Sequence, residues 1–220
     1  MTRLFWTLLL GGLLSSACDR GGNFADIRNL ESRGDLIICF GDSLTEGVGA
    51  EKGENYPSVL ARQLQVPILN AGKRGDTSAD GLTRLEQDVL ARNPRLVIVL
   101  FGGNDFLRQV PLSETRKNVE EIVRRIQERG AMVVLAGIRL GLFTDEYGPL
   151  YAEIAKKNGA LYIPEILKGV LSDPRLKSDS IHPNGSGYQL MAERILERVK
   201  PLLEEANRKT GSGRQNAVGS

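Results

Sequence analysis

A chain of 220 residues with one histidine and two cysteines has few nitrogen or sulfur ligands to offer, so no metal site and no cofactor are expected. A formal net charge of +2, with no basic stripe interleaved with aromatics, argues against a nucleic-acid partner, and nothing points to a protein partner. Two cysteines also rule out a disulfide-stapled scaffold, so stability must come from a buried apolar core.

The chain opens with Arg3, an apolar stretch from Leu4 to Leu14 broken only by Thr7, Gly11 and Gly12, and the small residues Ser15, Ser16 and Ala17. This is the layout of a secretory signal peptide over residues 1–17. The run is too short for a spanning helix, which needs ~20 residues. Leu14-Ser15-Ser16-Ala17-Cys18 resembles a bacterial lipoprotein cleavage box, in which Cys18 becomes the lipidated first residue. Ser15 departs from that pattern, where a larger aliphatic residue is usual, and the alternative is an ordinary signal peptide with a chance cysteine. The expectation is an exported protein on the periplasmic or cell-envelope side, held to the membrane through lipid at Cys18. Residues 18–34 are polar and glycine-bearing and read as a tether.

From residue 35 strand and helix signals alternate. Leu36–Phe40 is a continuous apolar run, followed at once by Gly41-Asp42-Ser43. Pro57 suits the first turn of a helix. Pro67–Asn70 is a shorter strand, followed by Ala71-Gly72-Lys73-Arg74-Gly75-Asp76-Thr77-Ser78. Leu82, Leu85 and Val89 share a helical face. Leu96–Phe101 is a third strand, followed by Gly102-Gly103-Asn104-Asp105. Val119, Ile122, Val123 and Ile126 follow helical spacing, and Gly130 stops that helix. Met132–Ala136 and Leu161–Ile163 complete the strands, with a helix around Ala152, Ile154 and Ala155 between them. Met191, Ala192, Ile195 and Val199 mark the last helix. Residues 204–220 lose the apolar periodicity and read as a disordered tail.

Runs apolar on both faces suit buried parallel strands. Alternation with helices implies right-handed crossovers and a three-layer α/β/α sandwich over residues 35–203, with a central parallel sheet of about five strands. Such sheets bind ligands beyond the carboxyl ends of their strands. Chemistry is therefore expected just after Phe40, Asn70, Phe101, Ala136 and Ile163.

Those segments carry suitable groups. Gly41-Asp42-Ser43 places a hydroxyl at the sheet edge; a phosphate loop would need a lysine in the turn, and none is present. Gly75 offers an N–H, while Thr77 or Ser78 suits a helix cap. Asn104 offers a side-chain NH₂. A serine hydroxyl needs a base within hydrogen-bond reach. The lone histidine, His182, is the one imidazole available, and Asp179 lies three residues before it. A carboxylate on the far ring nitrogen fixes the useful tautomer. Asp173 and Asp105 are rival carboxylates. Phe106, Leu107 and Val110 after the third strand, and Leu140, Leu142 and Phe143 after the fourth, either line an acyl groove or pack the loops.

Four ordered blocks, GDSLTEG at 41–47, NAGKRGDTSADGLTRL at 70–85, GGND at 102–105 and DSIHP at 179–183, resemble the SGNH (GDSL-type) hydrolase family, in particular its bacterial periplasmic thioesterase, lysophospholipase and arylesterase branch. The resemblance runs from Leu36 to Leu203 and implies a flavodoxin-like fold. It implies Ser43 as nucleophile, His182 as base and Asp179 as its orienting acid. It also implies an oxyanion hole from the Ser43 N–H, the Gly75 N–H and the Asn104 amide. Lys73-Arg74 departs from the family, where small or apolar residues are common. The implied function is a serine esterase acting on small-molecule or lipid acyl esters or thioesters through an acyl-enzyme. The alternatives are a carbohydrate O-deacetylase on the same fold and a non-catalytic binding lipoprotein.

Overall fold

A computed structural model of the chain describes residues 24–139 and 145–217. Five strands, β1 (Leu36–Gly41), β2 (Ile68–Gly72), β3 (Pro94–Leu100), β4 (Met132–Ala136) and β5 (Leu161–Ile163), form one sheet in the order β2-β1-β3-β4-β5. Every pair is parallel, so all carboxyl ends share one edge. Among the described residues seven α-helices accompany them: α1 (Ser43–Glu46), α2 (Tyr56–Leu64), α3 (Ser78–Asp88), α4 (Gly103–Leu107), α5 (Leu112–Glu128), α6 (Tyr147–Asn158) and α7 (Gly185–Ala217).

The period-2 alternation of a strand divides the apolar runs between two cores. Ile37, Cys39, Ile98, Leu100 and Val134 face α2 and α7, where Tyr56, Leu60, Met191, Ile195 and Val199 meet them. Ile38, Phe40, Val97, Val99, Val133 and Leu135 face α3, α5 and α6, where Leu85, Val119, Ile122, Ile126 and Tyr151 close the other layer. Each fully buried side chain of this kind contributes roughly 1.5–3 kcal/mol. The three-layer parallel architecture is as the sequence implies.

Two segments differ from expectation. Residues from Phe24 to Gly34 do not trail as a tether. Phe24 is buried in the core beneath α2 and α7, with Ile27 and Leu30 packed beside it. The Asn29 amide donates to the Gln127 and Ala131 carbonyls at 2.7 and 2.9 Å, which pins this stretch to the end of α5. At the other end α7 continues through Ala217, so the segment from 204 is helical where composition marks a disordered tail. Leu202 and Ala206 extend the buried stripe of Ile195 and Val199 by two further turns. A single small alanine carried that continuation, too faint a signal for periodicity.

Candidate active site

The β1 strand ends at Gly41 and α1 begins two residues later, at Ser43. Asp42 caps the short helix: its Oδ1 accepts the Leu44 N–H at 3.0 Å. Gly47 ends it in the left-handed region. Below, the Thr45 hydroxyl bonds the Tyr56 phenol at 2.9 Å, fixing α1 on the core. Ser43 is thus held on a four-residue helix at the sheet edge with only 8% of its surface exposed.

Asp42 itself is buried, and loss of hydration pushes its carboxyl from 3.8 up to about 7. The Leu44 N–H opposes that rise, while Asp105 and Asp76 add to it. The folded carboxyl therefore holds its proton more tightly than the unfolded one. Between about pH 4 and 7 the folded state binds more protons, so stability falls as pH rises through this window. Urea midpoints measured at about pH 4.5 and 7.5 should drop in the wild type and stay nearly level in Asp42→Asn. Equal drops in both would place the slope elsewhere.

After β2 the chain turns tightly, with the Asp76 N–H on the Lys73 carbonyl at 3.2 Å. Gly75 is the third residue of that turn at φ +82°, the left-handed conformation a type II turn demands there. Its N–H donates to no protein acceptor among the described residues. Thr77 then opens α3 with a capping box: its side chain accepts the Asp80 N–H, and Asp80 accepts the Thr77 N–H. Thr77, not Ser78, is the cap. Ser78 instead donates to Asp105 through both N–H and hydroxyl, and Thr115 adds a third donor to that buried carboxylate.

Asn104, in α4 after β3, donates one amide hydrogen to the Asp76 carbonyl at 2.9 Å, which aims its other hydrogen from a fixed position. Asp76 is held in turn by Arg84 of α3, at 2.5 Å from Nε. The same guanidinium donates to the Gly41 and Ala71 carbonyls at 2.8 and 2.9 Å and lies 4.5 Å over the Phe40 ring. One side chain thus joins the ends of β1 and β2 to the loop that carries Gly75. Arg84 has no assigned role in the sequence reading. Along α3 it falls in line with Asp80 and Asp88 rather than with Leu82, Leu85 and Val89, which reads locally as a solvent-facing charge, and its partners lie up to 43 residues away.

His182 arrives on a loop closed by its own backbone: Lys177 and Pro183 form an antiparallel bridge, and the Ser178 N–H bonds the His182 carbonyl at 3.0 Å. Asp179 Oδ1 accepts the N–H groups of Ile181 and His182, both at 2.8 Å. Its Oδ2 lies 2.8 Å from His182 Nδ1, and Nε2 lies 3.1 Å from Ser43 Oγ. The bond to the His182 ring, then the Ile181 N–H, pull the Asp179 carboxyl down to about 2. It is therefore ionised throughout the range in which an imidazole can act as a base. Of the rival carboxylates, Asp173 pairs with Arg175 at 2.7 Å and Asp105 is consumed by Ser78 and Thr115.

Ser43, Gly75, Asn104, Phe106, Leu107 and His182 line one cleft of ≈270 Å³, joined by Ile138, Leu167, Leu171 and Ile181. The last four follow β4 and β5 or flank His182, where sequence reasoning placed the chemistry but named other residues. Leu140, Leu142, Phe143 and Cys18 lie outside the described residues. A hydroxyl, an imidazole, a carboxylate and the N–H donors of Ser43, Gly75 and Asn104 on one cleft can together perform nucleophilic attack on a carbonyl.

The model of the GDSL-like lipase/acylhydrolase family matches residues 39–190. Esterase TesA of Pseudomonas aeruginosa is 29% identical over 181 residues, covering 76% of this chain and 89% of that protein. The thioesterase 1/protease 1/lysophospholipase L1 of Escherichia coli is 28% identical over 177 residues, covering 77% and 85% respectively. A crystal structure of TesA superposes with a TM-score of 0.71 at 27% identity, over 76% of this chain and 99% of that one.

Proposed function

From the premise that this chain belongs to the GDSL-like lipase/acylhydrolase family and is an ester hydrolase, we propose that Ser43, His182 and Asp179 form its catalytic triad. The observation that carries this reading is the unbroken relay from Asp179 Oδ2 through the His182 ring to Ser43 Oγ. With Nδ1–H given to Asp179, Nε2 presents its lone pair to the Ser43 hydroxyl. His182 removes that proton as Oγ attacks the acyl carbonyl. The oxyanion meets the N–H groups of Ser43 and Gly75 and the free amide hydrogen of Asn104. His182 then protonates the departing oxygen or sulfur, leaving an acyl-serine. Water repeats the cycle, with His182 again as base, and releases the acid.

The substrate class we propose is an acyl ester or thioester with a chain longer than acetyl. Phe106, Leu107 and Ile181 are exposed large hydrophobic residues on the cleft, and the cleft is small compared with ligand pockets of ~300–1,000 Å³. It holds the carbonyl end, and the chain beyond runs along the apolar rim. An O-deacetylase would not need that rim. We further propose export and lipid anchoring at Cys18, on the residues of 1–18, which the mass of the N-terminal peptide would test. Fluorophosphonate labelling followed by peptide mapping tests the mechanism. A single adduct on Ser43 is expected, and an adduct on another residue with Ser43 unmodified would refute it.

A further inference from the structure

Lys73 and Arg74 depart from the family pattern and take no part in the relay. The sheet order shows where they stand. On one side of Ser43, the segments after β3, β4 and β5 supply Phe106, Leu107, Ile138, Leu167 and Leu171, all apolar. On the other side lies β2, the edge strand, and the turn that follows it brings two exposed cations, Lys73 and Arg74. Arg74 lines the cleft beside Ser43. Arg108, the residue that caps α4, leans across from the segment after β3, its guanidinium donating to the Gly75 carbonyl at 2.7 Å. The mouth is therefore graded, apolar over β3 to β5 and cationic over β2.

The carboxylates nearby neutralise that half only in part. Glu46 accepts the backbone N–H of Arg74, not its guanidinium. Asp80 is held by the N–H and hydroxyl of Thr77 and forms a 3.9 Å ion pair with Arg108, which leaves Lys73 and Arg74 as the cations of this edge without an ion-pair partner among the described residues. Among the described residues no carboxylate lies within ion-pair distance of the Arg74 guanidinium. At the tetrahedral centre on Ser43 the acyl chain and the leaving group diverge. A chain laid on the apolar half directs the leaving group toward the β2 edge.

We infer that this chain selects acyl esters whose leaving group carries a negative charge, a phosphate or a carboxylate, with Arg74 and Lys73 as the residues that read it. The inference rests on the esterase reading above. The charges are exposed, so each contributes modestly and is screened by salt.

Two matched pairs of short, soluble esters test it: 3-butyryloxybenzoate against its methyl ester, and 1-butyrylglycerol 3-phosphate against 1-butyrylglycerol. At low salt kcat/KM should favour the charged member of at least one pair by about 3–10-fold. Which pair shows the preference distinguishes phosphate from carboxylate. The ratio should shrink toward one at high salt, and should fall to one or below in Arg74→Glu and in the double variant Lys73→Ala/Arg74→Ala. A wild-type ratio of one or less in both pairs, with the neutral esters still cleaved, overturns the inference and leaves the esterase reading intact. A preference that survives both variants overturns the assignment to these residues. Failure to cleave any of the four esters, or other carboxylic esters, would overturn the esterase reading as well.

Discussion

Ser43→Ala is expected to lower kcat for a chromogenic acyl ester by about 10⁶-fold, and His182→Ala by a similar factor. The two groups act as one unit: the hydroxyl is a poor nucleophile without the imidazole 3.1 Å away, and the imidazole has nothing to deprotonate without the hydroxyl. Combining both substitutions should therefore cost little more than either alone. A residue of ~10³–10⁴-fold over water should persist, because the Gly75 and Asn104 donors remain in place. Steady-state assays on the four proteins decide the matter, with urea unfolding to show that each is folded. A Ser43→Ala protein retaining more than a few percent of wild-type activity would remove the serine from the mechanism.

Arg84→Met is expected to destabilise the fold by about 3–5 kcal/mol. The Arg84–Asp76 pair is largely shielded, with side-chain exposures of 13% and 8%. Losing the guanidinium strands the Asp76 carboxylate and removes one donor each from the Ala71 carbonyl and from the Gly41 carbonyl, which keeps the Lys73 N–H. Methionine keeps apolar contact with Phe40, so the loss reports the charge and its hydrogen bonds. Asp76→Asn in the same background should recover part of it, since the stranded charge is then gone. Because the Asp76 carbonyl holds the Asn104 amide, kcat should fall alongside stability, more than KM rises. Urea unfolding measures the first effect and initial-rate kinetics the second. A stability change below about 1 kcal/mol would mean that the arginine is dispensable to the frame.

How much of this was legible beforehand follows from the range of the interactions. β1, β3 and β4 stood out because central parallel strands are apolar on both faces. Edge strand β2 is only half-buried, so its apolar signal stops at Asn70 while the ladder runs two residues further, to Gly72. The relay residues were legible because each sits just past a strand or in a short local motif. His182 and Asp179 are three apart, and one loop must hold both. Arg84 and Asp42 were not, since what defines them is burial and partners brought by the fold. The packing of Phe24 and Asn29 escaped for the same reason: a polar, glycine-bearing stretch gives no local hint that two of its side chains find the core and the end of α5.

The loop from Leu176 to Asn184 has one more consequence. It is tied to itself by the Lys177–Pro183 bridge, the bonds from Ser178 to the His182 carbonyl, and the Asn184 N–H on the Leu176 carbonyl. Asp179 grips both the backbone and the ring of His182. The imidazole and its carboxylate therefore travel as a single cassette. When the loop breathes, the imidazole keeps its tautomer and its carboxylate, and the gap that changes is the one to Ser43. Loss of activity on warming is therefore expected to begin as a clutch slipping rather than as parts breaking, reversibly and before the sheet gives way.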